Sequence, residues 1–176
     1  MDDMMTLLEP LIPPLRRYAR ALLHDRTAAD DLVQDCLEHA ISRWHQRREG
    51  SDTRSWTFTI LHNLAVSRLR QEKRRGAHVA IEDIGQDAMA QAADQDQGLR
   101  QQDVLRALDT LPEDQKSVLL LVSVEDMSYA DAARVLDIPL GTVMSRLARA
   151  RERMRRFMED ESETGQIVSF RPRSVK

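Results

Sequence analysis

The chain has 176 residues, 41% of them hydrophobic but only 4% aromatic, and its 26 Lys and Arg against 29 Asp and Glu leave a net charge of −3. That length holds one compact domain or two small ones, with a core filled mainly by aliphatic side chains. A single cysteine, Cys36, excludes an intramolecular disulfide framework and a cysteine-based zinc site, the five His lack metal-ligand spacing, and no apolar run approaches the roughly 20 residues of a membrane-spanning helix.

Asp2 and Asp3 stand where a signal peptide needs positive charge, so a cytoplasmic location is expected. With six Gly and six Pro, and long stretches rich in Ala, Leu, Arg, Glu and Gln, the composition favours helix throughout and the expected class is all-α. From Leu8, the residues Leu11, Ile12, Leu15, Tyr18, Ala19, Leu22 and Leu23 recur at steps of three and four, which predicts an amphipathic helix whose regular part follows Pro10, Pro13 and Pro14. A second helix is predicted over Ala28–Trp44, with Leu32, Val33, Cys36, Leu37, Ala40 and Ile41 on one side. The polar stretch Gln46–Thr53 predicts a loop, and a third helix, ending in a basic run, is predicted over Arg54–Arg74.

Between Gly76 and Gly98 the periodicity fails. Glu82, Asp83, Asp87, Asp94 and Asp96 occur without a single Lys or Arg, which predicts a flexible acidic linker. Regular spacing resumes at Val104, Leu105, Leu108 and Leu111, and Pro112–Glu113 is a helix start. The aliphatic run Val118–Val122 fits either a buried strand or a buried helix; the start signal ahead of it and the lack of a partner strand favour helix. Ser128 can cap a short helix to Leu136, Asp137–Ile138–Pro139 breaks it, and a last helix is predicted over Leu140–Met158. Short helix, turn and longer basic helix make a helix-turn-helix.

That last helix carries Arg146, Arg149, Arg151, Arg153, Arg155 and Arg156 against Glu152, with Thr142 and Ser145 near its start. Arginines neutralise phosphates and bind guanine edges bidentately, while the first turns of such a helix approach the bases, so Thr142, Ser145 and Arg149 are candidate major-groove contacts. Charge alone fits a solvated face or a docking surface as well. A second basic zone comprises Arg43, Arg47, Arg48 and Arg54 before the third helix, and Arg68, Arg70, Lys73, Arg74 and Arg75 at its end. Trp56, Phe58 and Asn63 lie on the same stretch, and aromatic faces with a side-chain amide suit unstacked single-stranded bases. Phe58 is expected in the core. Asp30, Asp31 and Asp35 have no His or second carboxylate cluster to complete a metal or acid–base site. With no phosphate loop, nucleophile–base pair or H-E-x-x-H motif, no enzyme activity, metal or cofactor is expected.

Taken together, ADDLVQDCLEHA (29–40) and SWTFTILHNLAVSRLRQEKRR (55–75) resemble region 2 of the sigma-70 family. ALDTLPEDQKSVLLLVSVEDMSYADAARVLDIPLGTVMSRLARARERMRR (107–156) resembles region 4. Two such blocks with nothing like region 3 between them resemble the extracytoplasmic function (ECF) group. The resemblance implies two small helical domains joined by a flexible linker: region 2 over 1–76, an acidic linker over 77–99, region 4 over 100–158 and a disordered tail over 159–176. It implies core RNA polymerase and promoter DNA as partners, with an anti-sigma factor as a common inhibitor.

By the same resemblance, Asp31, Gln34 and Asp35 match positions used against the polymerase clamp. Asn63 matches an amide that holds a flipped base of the −10 element, Trp56 matches the family's aromatic, and Arg68 and Arg70 belong to the same −10 zone. Thr142, Ser145, Arg146 and Arg149 match positions near the −35 DNA. Met144 stands where members often carry Lys or Arg, and RREGSD (47–52) replaces the usual loop sequence. Two other readings stay open on the residues alone: a helix-turn-helix regulator acting without polymerase, and a sigma-like decoy that binds an anti-sigma protein. The acidic linker, lying between two basic units, is expected to compete with nucleic acid.

Overall fold

The computed structural model of the chain describes residues 2–47, 52–75 and 103–168, and every regular element among them is helical. The predicted linker therefore lies outside the described residues. The order is α1 (Asp2–Leu8), a 3-10 turn (Glu9–Leu11), α2 (Ile12–Leu23), α3 (Arg26–Ser42), a 3-10 turn (Trp44–Gln46) and α4 (Thr53–Arg74). There follow α5 (103–109), α6 (Glu113–Leu119) with a π-helical turn (Leu120–Val124), α7 (Tyr129–Leu136) and α8 (Leu140–Val168).

The helix α1 was not expected. The prolines that follow it do not break structure where they stand: Pro10 and Pro13 occupy opening positions of the 3-10 turn and of α2, where a backbone N–H has no helical partner to lose. The start of α3 lies two residues ahead of the expected one because Asp25 is its N-cap, accepting a 2.9 Å hydrogen bond from Ala28 N. Asp52 caps α4 likewise, accepting from the amides of Arg54 and Ser55. At the other end of the chain α8 runs on past Met158 to Val168, so helix occupies the first part of the stretch expected to be disordered; an Arg155–Glu159 pair one turn apart spans the expected boundary.

In the first unit α2, α3 and α4 pack their apolar faces together. Leu15, Tyr18, Ala19, Val33, Cys36, Phe58 and Leu61 are buried, and the Tyr18 and Phe58 rings meet edge to face at 5.6 Å. In the second unit Leu111, Val118, Leu121, Ala132, Val135, Val143, Leu147 and Ala150 fill the space between α6, α7 and α8. Val118–Val122 is helical, as the start signal at Pro112 indicated, but its last residues widen into the π turn, where Glu125 N donates to Leu120 O at 2.9 Å. Ser128 Oγ accepts from Asp131 N at 3.0 Å and opens α7; Asp137, with a φ of 52°, ends it.

The described parts of the two units touch. α7 packs along α4, and α6 reaches α2. At the centre of this contact is Glu125, 1% exposed, delivered by the π turn and by a left-handed Asp126 with φ 51°.

Candidate nucleic-acid interface

The helix-turn-helix holds α8 by one face only. Val143, Leu147 and Ala150 are inside, which places Arg149 on the exposed side with Thr142 and Ser145 half-buried beside it. The expected face of Thr142, Ser145 and Arg149 is therefore brought together. Arg146 differs: its Nε lies 3.2 Å from an Asp114 carboxylate oxygen, so this guanidinium ties α8 to α6. Met144 is 52% exposed and Leu140 49%, both on the open side of the first turns. Farther along, Arg155 and Arg156 bond to Glu152, and the two arginines hold that carboxyl below its ordinary range.

In the first unit the expected basic zone divides. Arg70 and Asn63 are exposed on α4. Arg68 turns inward instead, donating to the Ala28 carbonyl at 3.2 Å with Glu72 one turn away, and so fastens α4 to the beginning of α3. Trp56 is half-buried against Trp44 at 6.0 Å, and the Arg47 guanidinium lies 4.6 Å from the Trp44 ring centre. Phe58 is fully buried, as expected of a core residue. Beneath this face the Tyr18 hydroxyl is 3.0 Å from His62 Nδ1, and burial pushes the imidazole down to about 4.

Asp31, Gln34 and Asp35 share the exposed face of α3, with Gln34 bonded to Glu38. Asp30, next to them, points the other way and takes ion pairs from Arg16 and Arg20.

Two family models and several known relatives bear on these arrangements. Residues 8–62 match the model of the Sigma2 domain of PhyR, and residues 101–154 match Sigma-70, region 4. The ECF RNA polymerase sigma factor EcfG of Rhodopseudomonas palustris (strain TIE-1) is 36% identical over 143 residues, covering 81% of this chain and 78% of the relative. The chain belongs to the ECF RNA polymerase sigma factors.

Among other members, SigM of Mycobacterium tuberculosis is 33% identical over 82% of this sigma factor and 71% of its own length. The sigma factor RpoE solved in complex with the anti-sigma factor NepR from Bartonella quintana is 33% identical, with a TM-score of 0.78 over 90% of this chain and 98% of that one. CnrH, solved with the cytosolic domain of CnrY, is 23% identical with a TM-score of 0.67, and shares the fold. An ECF sigma factor directs transcription initiation by RNA polymerase, and the all-α architecture with its region 4 helix-turn-helix is the one this function uses.

Residue-level reading of the sequence missed the interface between the units of the sigma factor. Arg17 Nε and Nη2 each donate to a Glu125 carboxylate oxygen at 2.8 Å, and Arg54 Nη2 lies 3.3 Å from the same carboxylate while also donating to the Glu125 carbonyl. The bond to Glu125 raises the Arg17 guanidinium above its ordinary value. A second set joins His24, Lys116 and Asp109: Lys116 Nζ is 2.9 Å from His24 Nε2, and His24 Nδ1 is 3.1 Å from Asp109. Burial lowers both His24 and Lys116, and for Lys116 the Asp109 carboxylate opposes it. Lys73 adds an exposed pair with Glu113. The one trace of this in the sequence is Glu125–Asp126, an acidic pair set between Val124 and Met127.

Proposed function

We propose that residues 1–76 bind core RNA polymerase and capture the −10 element, and that residues 100–158 read the −35 element, with 77–99 joining them and 159–176 following as a tail. What carries the reading is α8: Arg149, Thr142 and Ser145 share the open face of a helix whose opposite face is core. A guanidinium that is exposed, on the third turn of a helix-turn-helix recognition helix, is free to meet a guanine edge or a phosphate. Arg146 is assigned to holding α8 against α6 at the DNA.

On the first unit, Asn63 and Arg70 of α4 take the single-stranded −10 base and its backbone, with Trp56 as the stacking face. Arg68 sets the position of α4 rather than touching DNA, because its guanidinium is spent on Ala28. The exposed Asp31, Gln34 and Asp35 of α3 form the polymerase contact. An anti-sigma protein of the NepR kind is the proposed inhibitory partner, supported by the NepR complex of the 33%-identical sigma factor and by the match of 8–62 to the PhyR domain. The protein acts in the cytoplasm, without catalysis of its own and without a cofactor.

Run-off transcription with bacterial core polymerase on genomic promoter fragments tests the assignment. Defined transcripts are expected with the unmodified chain, and both Asn63→Ala and Arg149→Ala should weaken them. A core enzyme that gains no promoter specificity from any form would dispose of the reading.

A further inference from the structure

The geometry points to an anion-binding fork, Arg17 with Arg54, that takes a phosphate of the nucleic-acid strand and that Glu125 of the second unit occupies from within the same chain. The inference rests on the reading that the first unit binds single-stranded promoter DNA, and adds a site to it. Region 4 is then a competitor for the face it covers and has to leave before that face takes DNA.

The two guanidiniums come from different helices, α2 and α4, and converge on one acceptor. Arg17 engages it side-on with two parallel bonds of 2.8 Å; Arg54 closes from the other side. Among the described residues, the hydrogen bonds of both go to Glu125. In contrast, Arg20 and Arg68 find their acceptors within the first unit itself. Removal of the second unit therefore strips Arg17 and Arg54 of their acceptor and leaves two adjacent cations, 46% and 38% exposed even in the closed form. A phosphodiester presents the same pair of oxygens to an arginine fork as a carboxylate does. Glu125 also leaves Arg54 Nε buried without a partner, so the carboxylate does not exhaust the donors of the site.

The location fits the ligand. Arg54 opens α4, two residues from Trp56, and the same helix carries Asn63 and Arg70 farther along. The second unit straddles it: while Glu125 sits on Arg54, Leu136 and Asp137 at the end of α7 face Asn63, Ser67, Arg70 and Arg74 across a 460 Å³ cleft. A strand lying along α4 meets the second unit at both places. The backbone at Glu125 is specialised for delivery, with a π turn before it and a left-handed Asp126 after it.

The test is fluorescence anisotropy of the full chain with a labelled, mixed-sequence single-stranded DNA at several salt concentrations, each variant first checked by a circular-dichroism melt. Glu125→Gln keeps the shape and removes the charge, and is expected to bind roughly five- to tenfold more tightly than the unmodified chain. Glu125→Asp, its carboxylate drawn back by one methylene, is carried in parallel as an opening variant that retains the charge. Adding Arg17→Ala to either should abolish the gain and make the salt dependence of log K shallower by about 0.7, the share of one phosphate contact on a single strand. Folded Glu125 variants that bind no more tightly than the unmodified chain would overturn the occupation of the fork. A gain that survives Arg17→Ala with the same salt slope would overturn the fork itself. Promoter-specific run-off by the unmodified chain, alongside either of those results, leaves the sigma assignment standing and removes this inference alone.

Discussion

In the second unit Arg149, Arg151, Arg153, Arg155 and Arg156 all lie on the open side of α8, and their acidic neighbours Glu152 and Glu159 sit on the same helix. In the first unit the arginines are distributed across helix junctions: Arg20 joins α2 to α3, Arg68 joins α4 to α3, and Arg17 and Arg54 reach the other unit. One basic zone is a surface already formed, and the other is half scaffold. The contrast teaches that a run of positive charge stays on the surface where the helix bearing it has core on its other side and the carboxylates it meets lie mostly on that same helix, as Glu152 and Glu159 do on α8. In α8 the spacing of Val143, Leu147 and Ala150 guarantees the first condition; in α4 both faces are in use.

If that contrast is right, damage to the core should cost the first unit its interface outright. Phe58→Ala removes a fully buried ring that also carries the Arg54 guanidinium at 5.8 Å, and is expected to cost about 3 to 5 kcal/mol in denaturant unfolding. Promoter opening should vanish with it.

Acid should single out the same unit. His62 stays neutral in the fold down to about 4, whereas an unfolded imidazole takes its proton near 6.5. A depressed native value makes the unfolded state bind the proton first, so the His62 contribution is complete above about 6.5 and is lost as pH falls from there toward about 4. His24, lowered in the same direction, adds to the loss at the contact between units. Thermal melts across this range should show the decline, and His62→Gln should flatten it; an unchanged profile would deny the histidine this part.

The sharpest comparison sets two single arginines side by side. Arg149→Ala should weaken binding to −35 duplex by about 1 to 3 kcal/mol while leaving the melting temperature where it was. Arg68→Ala should do the reverse, lowering stability by about 1 kcal/mol through loss of the bond that ties α4 to the Ala28 carbonyl of α3, with any DNA effect following from the displacement of α4. Equal thermal effects of the two would erase the distinction between surface and scaffold.

Much of the architecture was legible in order along the chain. Periodic aliphatics located α2, α3, α4 and α8, Ser128 marked the start of α7, and Pro112 marked that of α6, because helix faces and caps are set by residues within a turn or two of each other. The open face of Thr142, Ser145 and Arg149 was readable for the same reason. The helix α1 ends at Leu8, where the aliphatic periodicity begins, so no such pattern marked it. Which arginines are spent internally could not be read, since the acceptor of Arg68 is a carbonyl on another helix and that of Arg146 a carboxylate one helix away.

The sequence by itself determined the helical class, the two units, the recognition helix and the membership those motifs imply, all of them consequences of local pattern. Only the tertiary structure decided where one unit lies on the other. Besides the packing of α7 on α4, that placement brings Glu125 to Arg17 and Arg54 from 108 and 71 residues away, and His24 to Lys116 across 92. An ion pair leaves no periodic trace in a chain, because its two halves need share nothing but opposite charge and the space into which the fold brings them.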